Sequence, residues 1–263
     1  MQEDFAAVLA DVRRRIAAAA ERAGRKPEDV EIIAVTKTHD EEVVREAWEA
    51  GLRIVGENKV QEAMWKKECS PAGPEWHLIG HLQSNKVRHA LETFDFIHSV
   101  DSVKLADRIN LVADEMGARV RILLEVNVSG EKSKSGMAPA EVEGAIEHIL
   151  SSCPRITLEG FMTMAPFSEN AEDARPYFRA LRELRDRMEE RFGAKFPRLS
   201  MGMSGDYEVA VEEGATWVRL GTVLFGRRPK LRSVRAQAEG AEDFALGGLD
   251  SYSGAGPTVR ILD

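Results

Sequence analysis

Eight short apolar runs, set apart by helix-like stretches, leave this chain very few folds to choose from. The runs are EIIAVTK (31–37), RIVGEN (53–58), EWHLIG (75–80), DFIHSV (95–100), RILLEVNV (121–128), TLEGFMTMA (157–165), RLSMGMS (198–204) and TWVRLGTVLFG (216–226). The first is apolar on both faces, as in a parallel sheet covered on each side by helices. Between the runs lie stretches such as EEVVREAWEAG, SVKLADRINLVADEMG and APAEVEGAIEHILSS. The longest, ARPYFRALRELRDRMEERFG, repeats Phe178, Leu181, Leu184, Met188 and Phe192 at helical spacing and stops at Gly193. Eight strands alternating with helices in a little over two hundred residues predict an α/β chain forming one (β/α)8 barrel of the TIM type. A doubly wound open sheet fits less well, because no GxGxxG follows the first run. An extra N-terminal helix, with Phe5, Val8, Leu9, Val12 and Ile16 on one face, should precede the barrel and end at Gly24. The barrel is expected over residues 1–227; from 228 to 263 the apolar periodicity stops, and a mobile or loosely docked tail is expected.

Composition narrows the partners. A formal net charge of −8 over 263 residues argues against a nucleic-acid footprint, which needs a clustered basic excess. No apolar stretch is long enough to span a bilayer, and the opening MQEDFAAVLADVRRR has early acids and no signal-peptide core. The two cysteines, Cys69 and Cys153, show no metal-type spacing and fit a reducing compartment. The expectation is a cytoplasmic monomer with no membrane or nucleic-acid partner.

Lys37 stands at the end of the first run, where an ammonium either reaches water or is used. A lysine that is partly desolvated becomes an amine nucleophile able to form a Schiff base; for an isolated strand-end lysine the solvent-reaching alternative is the commoner one. In this barrel type the functional groups sit at the C-terminal ends of strands, and phosphates bind in the loops after strands seven and eight. Those loops here are SMGMSGD (200–206) and RLGTVLFG (219–226), rich in small residues that let backbone N–H groups approach an anion. Ser204, Gly221 and Thr222 are the candidates for holding a phosphate. Closure puts strand eight beside strand one, roughly 4.8 Å away. Alternation that turns Ile33 and Val35 inward also turns Lys37, Trp217 and Arg219 inward. An amine, an anion cradle and an inward arginine at one mouth suggest a carbonyl compound bearing a phosphate, with pyridoxal 5′-phosphate as the leading candidate.

AVTK, GENKVQE (56–62), WHLIGHLQSNK (76–86), HSVDS (98–102), NVSGEKSKSG (127–136), GFMTMAP (160–166), SMGMSGD (200–206) and VRLGT (218–222) together resemble the pyridoxal phosphate homeostasis protein family, single-domain relatives of the N-terminal barrel of alanine racemase. The resemblance covers about residues 4 to 227, in order. It implies a Schiff base at Lys37, phosphate held at Ser204 and the Gly221–Thr222 segment, Arg219 near the pyridine nitrogen and Asn58 on the pocket wall. His81, where many members have Pro, and Gly205, where a larger residue is common, depart from the pattern without touching those positions.

Other features have plainer explanations. His77 and His81, four apart on or just past a strand, would stand about 13 Å apart, too far to chelate one ion. His89 and His98 lack Cys or carboxylate partners at metal spacing, so no metal site is expected. Met162, Met164, Met201 and Met203 suit adaptable packing around the barrel top. Asn127 is equally suited to a pocket and to a turn. The resemblance implies a binder serving vitamin B6 homeostasis, with apo pyridoxal-phosphate enzymes as acceptors. The alternatives are a racemase of the alanine racemase barrel type and a Schiff-base aldolase. A racemase of that class draws one base from a second, β-rich domain, for which this sequence leaves no room. An arginine beside the ring nitrogen would also weaken the cofactor as an electron sink. The expectation is therefore a protein without strong catalysis of its own.

Overall fold

The computed structural model describes residues 5–226 except 71, 132 and 133. The expected tail, 228–263, lies outside the described residues.

Strands β1 (Glu31–Val35), β2 (Ile54–Glu57), β3 (Glu75–Leu78), β4 (Phe96–Val100), β5 (Val120–Glu125), β6 (Ile156–Met162), β7 (Arg198–Ser200) and β8 (Trp217–Leu220) close in sequence order into one barrel. All pairings are parallel, and β1 closes on β8 with Ile33 beside Arg219 and Ala34 beside Leu220. Helix α1 (Phe5–Arg22) precedes the barrel; α2 (Glu42–Glu49), α3 (Val60–Cys69), α4 (Val87–Thr93), α5 (Val103–Glu115), α6 (Val142–Ser152), α7 (Arg175–Phe192), α8 (Tyr207–Glu212) and α9 (Thr222–Phe225) follow successive strands. The (β/α)8 expectation is met.

The apolar stripes explain the packing. Leu9, Val12, Ile16, Ala19 and Ala20 are the buried residues of α1, and Gly24 ends it in the left-handed region at φ 68°. Helix α7 buries Phe178, Leu181, Leu184 and Met188 and stops at Gly193, φ 58°. Each of the larger side chains among them, Val, Leu, Ile, Phe or Met, contributes about 1.5–3 kcal/mol by leaving water.

Two cores result. The larger lies between sheet and helices; the smaller fills the barrel with Ile33, Val35, Ile54, Ile79, Phe96, Leu123, Met162 and Trp217. Ile33, Val35 and Trp217 therefore face inward, as alternation requires. At the N-terminal end of the barrel an ionic rim joins Arg121 to Glu75 and Arg198 to Glu31, whose carboxylate also accepts from Trp217 Nε1 at 2.9 Å.

Several apolar runs outlast their strands. β1 stops at Val35, so β8 has no neighbour to pair with beyond Leu220. The chain turns at Gly221 and its second half, TVLF, coils into α9, where Phe225 stacks on Phe5 of α1 at 5.4 Å. Among the described residues no helix is long and apolar enough to cross a membrane.

Candidate functional site

Lys37 sits two residues past the end of β1, at the C-terminal mouth of the barrel, and is partly buried. The segment Thr36–Lys37–Thr38 is held from both sides. Thr36 Oγ1 donates to Glu57 Oε1 at 2.6 Å, and Thr38 N–H donates to Glu62 Oε1 at 2.6 Å. Thr38 takes φ 66°, and among the described residues it is the one non-glycine with a positive φ. For a β-branched residue that is a strained conformation.

The loops after β7 and β8 meet beside it. Ser204 Oγ accepts from Val223 N–H at 3.2 Å, which ties the β7 loop to the first turn of α9. Gly221 lies over β1: a Cβ there would stand 3.1 Å from the Val35 carbonyl oxygen and 3.4 Å from Val35 Cβ. A Cβ there would make the loop or the strand that leads into Lys37 give by a few tenths of an ångström. Thr222 is exposed beside it. Ser204, Gly221 and Thr222 are thus brought together, next to the strand that carries Lys37.

Arg219 is 5% exposed and points into the barrel. Its Nη1 donates to Ser200 Oγ at 2.7 Å and its Nη2 to the Thr163 carbonyl at 2.9 Å. The polar row continues inward. Ser200 Oγ lies 3.0 Å from His98 Nδ1, and His98 Nε2 lies 2.9 Å from His77 Nδ1. His77 Nε2 is 3.1 Å from Glu75 Oε1, within ion-pair range but outside hydrogen-bond geometry. Ser200 donating to His98, with each imidazole protonated on Nε2, pairs the row as far as His77 Nδ1 and leaves the His77 Nε2–H facing Glu75 without a hydrogen bond. Burial lowers both imidazoles below the usual histidine range. Burial also lowers Arg219, to about 10, against the opposing charges of Asp206 and Glu125, so it stays cationic at neutral pH.

Asn58 follows β2 and is partly buried, with its backbone tight against Gly80, where a Cβ would stand 2.4 Å from the Asn58 carbonyl oxygen. Asn127 caps a turn: its Oδ1 accepts from Gly130 N–H at 3.0 Å and its Nδ2 donates to the Glu131 carbonyl at 2.9 Å. Met162 and Met201 are buried, whereas Met203 is exposed.

Sequence reasoning passed over several residues at this end of the barrel. Glu125 closes β5, buried, accepting from Ser135 Oγ at 2.6 Å; burial raises its carboxyl. Glu57 and Lys66 are fully buried together between β2 and α3. Lys66 lies on the stripe that Val60 and Ala63 begin, and a lysine there was the legible signal. His98 was weighed only by sequence spacing, which cannot see its neighbour across β3 and β4. Spacing also hid the group Asp107, His148 and Cys153 on the outer helices, whose ligand atoms lie within 4.8 Å of one another. There His148 Nε2 already bonds Asp107 Oδ1 at 2.6 Å, and burial raises the Cys153 thiol, which disfavours the thiolate a metal needs. A cleft of about 540 Å³ lies at the other end of the barrel, where Arg25, Arg182, Arg185 and Arg198 are interleaved with Glu28, Asp29, Glu31 and Glu212.

The alanine racemase N-terminal domain family matches residues 8–229. The chain is 46% identical over 221 residues to a pyridoxal phosphate homeostasis protein of Aquifex aeolicus, covering 84% of this chain and 96% of that one. It is 40% identical over 233 residues to the protein of that name in Escherichia coli, covering 86% and 97%. The chain belongs to the pyridoxal phosphate homeostasis protein family. Among solved structures it is similar to PipY of Synechococcus elongatus, described with pyridoxal phosphate bound, at 38% identity and a TM-score of 0.74, covering 85% of this chain and all (100%) of that one. Alanine racemase of Clostridium difficile, 17% identical with a TM-score of 0.63 over 83% of this chain and 57% of that one, shares the fold. Within the family frame, the mouth described above is the end of the barrel where every residue marked by the resemblance falls.

Proposed function

We propose that this chain binds pyridoxal 5′-phosphate, joined through Lys37 as a Schiff base, and that it holds the cofactor and hands it on to apo-enzymes instead of turning over amino acids. The observation that carries the reading is the meeting of three groups at one rim. They are the turn bearing Lys37, the Ser204–Val223 tie beside Gly221 and Thr222, and the buried guanidinium of Arg219. The donor set suits the group: an amine for an aldehyde, a hydroxyl and close backbone for a phosphate, a cation for a ring nitrogen. Asn58, which follows β2, is assigned to the same wall in this reading. When bound, the cofactor supplies an aldehyde carbon and an electron-withdrawing ring.

Arg219 tunes the outcome. A guanidinium that stays charged near the ring nitrogen opposes protonation of that nitrogen, and a neutral ring is a poorer sink for electrons. This favours holding over turnover. The names carried by relatives at 40–46% identity support the same side. The racemase alternative lacks a comparable observation.

The test has two arms. The protein should bind pyridoxal 5′-phosphate at least about tenfold more tightly than pyridoxal, since each charge-assisted hydrogen bond contributes about 1.5–3 kcal/mol. The loaded protein should reactivate a separate apo-enzyme, while the α-proton of L-alanine exchanges in heavy water no faster than with free cofactor. Equal affinity for the two vitamers would remove the phosphate assignment. Rapid exchange with racemisation, abolished by Lys37→Ala, would turn the reading into a racemase.

A further inference from the structure

We propose that the buried Lys66–Glu57–Glu62 cluster is a positioning device for Lys37, clamping the backbone on both sides of the amine. The inference rests on the reading that Lys37 is the attachment point.

Lys66 is 1% exposed and Glu57 is 0% exposed. All three donors of the ammonium are used: the Thr36 carbonyl at 2.7 Å, Glu57 Oε1 at 2.7 Å and Glu62 Oε1 at 2.8 Å. The acceptors are the informative part. Thr36 precedes Lys37, and its carbonyl is bound by Lys66 while its hydroxyl is bound by Glu57. Thr38 follows Lys37, and its N–H is bound by Glu62. A single ion cluster therefore reaches both peptide groups flanking the lysine, from α3 and from the end of β2.

Alternation explains the arrangement. Val35 pairs with Gly56 and both face the barrel interior, so the next residues on each strand, Thr36 and Glu57, face the helices together. The same alternation, carried one residue further, turns Lys37 towards the mouth side.

Two features argue that the cluster does more than join a helix to a sheet. Buried ion clusters are poor stabilisers, because desolvation offsets their attraction and apolar residues of similar size often do as well. This one also holds a threonine at φ 66°, a conformation that persists only where its surroundings impose it, and strain of that kind gathers at functional sites. Thr38 Oγ1 and Glu57 Oε2, both buried, have no hydrogen-bond partner among the described residues. Both atoms belong to residues of this same backbone clamp.

Glu62 is the handle for the test, since it is partly exposed and its removal leaves Lys66 paired with Glu57. The chemistry to be read is addition of the Lys37 amine to the aldehyde carbon with loss of one water. In Glu62→Ala the fraction of protein trapped by borohydride as the Lys37 adduct, at limiting cofactor, should fall on the order of tenfold. Affinity for pyridoxine 5′-phosphate, which has an alcohol in place of the aldehyde, should stay within about twofold, and the melting temperature should barely move. Glu62→Gln, which keeps an acceptor for the Thr38 N–H, should restore trapping. Thr38→Gly placed on Glu62→Ala should recover part of it, because glycine adopts the turn without strain. Should Glu62→Ala fail to fold, Glu62→Met fills the same space without an acceptor and carries the same expectation. Wild-type trapping in Glu62→Ala, or an equal loss of pyridoxine 5′-phosphate affinity, would overturn the inference. Lys37→Ala separates this from the reading beneath it. If that variant still yields an adduct, the attachment reading fails and takes the inference with it; if the adduct is lost there but unchanged in Glu62→Ala, the inference alone fails.

Discussion

At the scale of single residues, Ser204 places its hydroxyl between the two loops proposed to hold phosphate. Ser204→Ala removes that oxygen and should weaken pyridoxal 5′-phosphate binding by about tenfold, read by titration, while pyridoxal binding changes little. The residues that carry the resemblance were legible because each is a type with few reasons to occupy its place: a lysine closing an apolar strand, an arginine inside a barrel, a glycine after strand eight. Glu57, His77 and His98 were not legible in the same way. Their roles come from partners on neighbouring elements, such as the 2.9 Å contact between His98 and His77, and no spacing along the chain encodes it.

At the scale of elements, Gly160 shows how closely the strands are fitted. It takes φ 152° in β6, and a Cβ there would stand 1.9 Å from the Arg198 carbonyl oxygen of β7. The register of β5 against β6 also shifts between Ile122 and Leu123, beside this glycine. Gly160→Ala should destabilise the protein by about 3 kcal/mol or more in chemical denaturation, because both backbone conformation and strand spacing oppose the methyl group. Ser102 offers a milder comparison: its Oγ accepts from Leu105 N–H at 3.3 Å and caps α5. Ser102→Ala should cost about 1 kcal/mol. The apolar runs located every strand, but all except DFIHSV ran past the strand's C-terminal end. Apolarity marks burial, and burial continues past Leu220 into α9, whereas strand pairing stops when the neighbouring strand does. The αL glycines at 24 and 193, by contrast, ended their helices where the sequence placed them.

At the scale of the whole molecule, the polar row through the barrel makes stability depend on pH. His77 and His98 are held below the ordinary 6.5 by burial, so acidification first protonates the unfolded chain, and stability falls as pH drops below about 6.5. Glu75 is held at about 2, first by the facing His77 and also by Arg121, against an ordinary 4.5. Its contribution is present above 4.5 and is lost as pH falls towards about 2. Glu57 and Glu125, raised by burial, work in the opposite sense and soften the decline. Thermal unfolding followed from neutral to acid pH should show a continuous loss, and Glu75→Gln should remove the part below about 4.5. A melting temperature that holds or rises on acidification would contradict the row as described.

Whether the cofactor is carried at Lys37, as proposed, can be read directly from the site of covalent trapping. The protein is loaded with pyridoxal 5′-phosphate, reduced with borohydride, digested and analysed by mass spectrometry. A phosphopyridoxyl group is expected on the peptide containing Lys37, with none on that containing Lys66, whose ammonium is sealed by three acceptors. An adduct confined to another lysine, or no adduct from a protein that binds the cofactor tightly, would contradict attachment at Lys37.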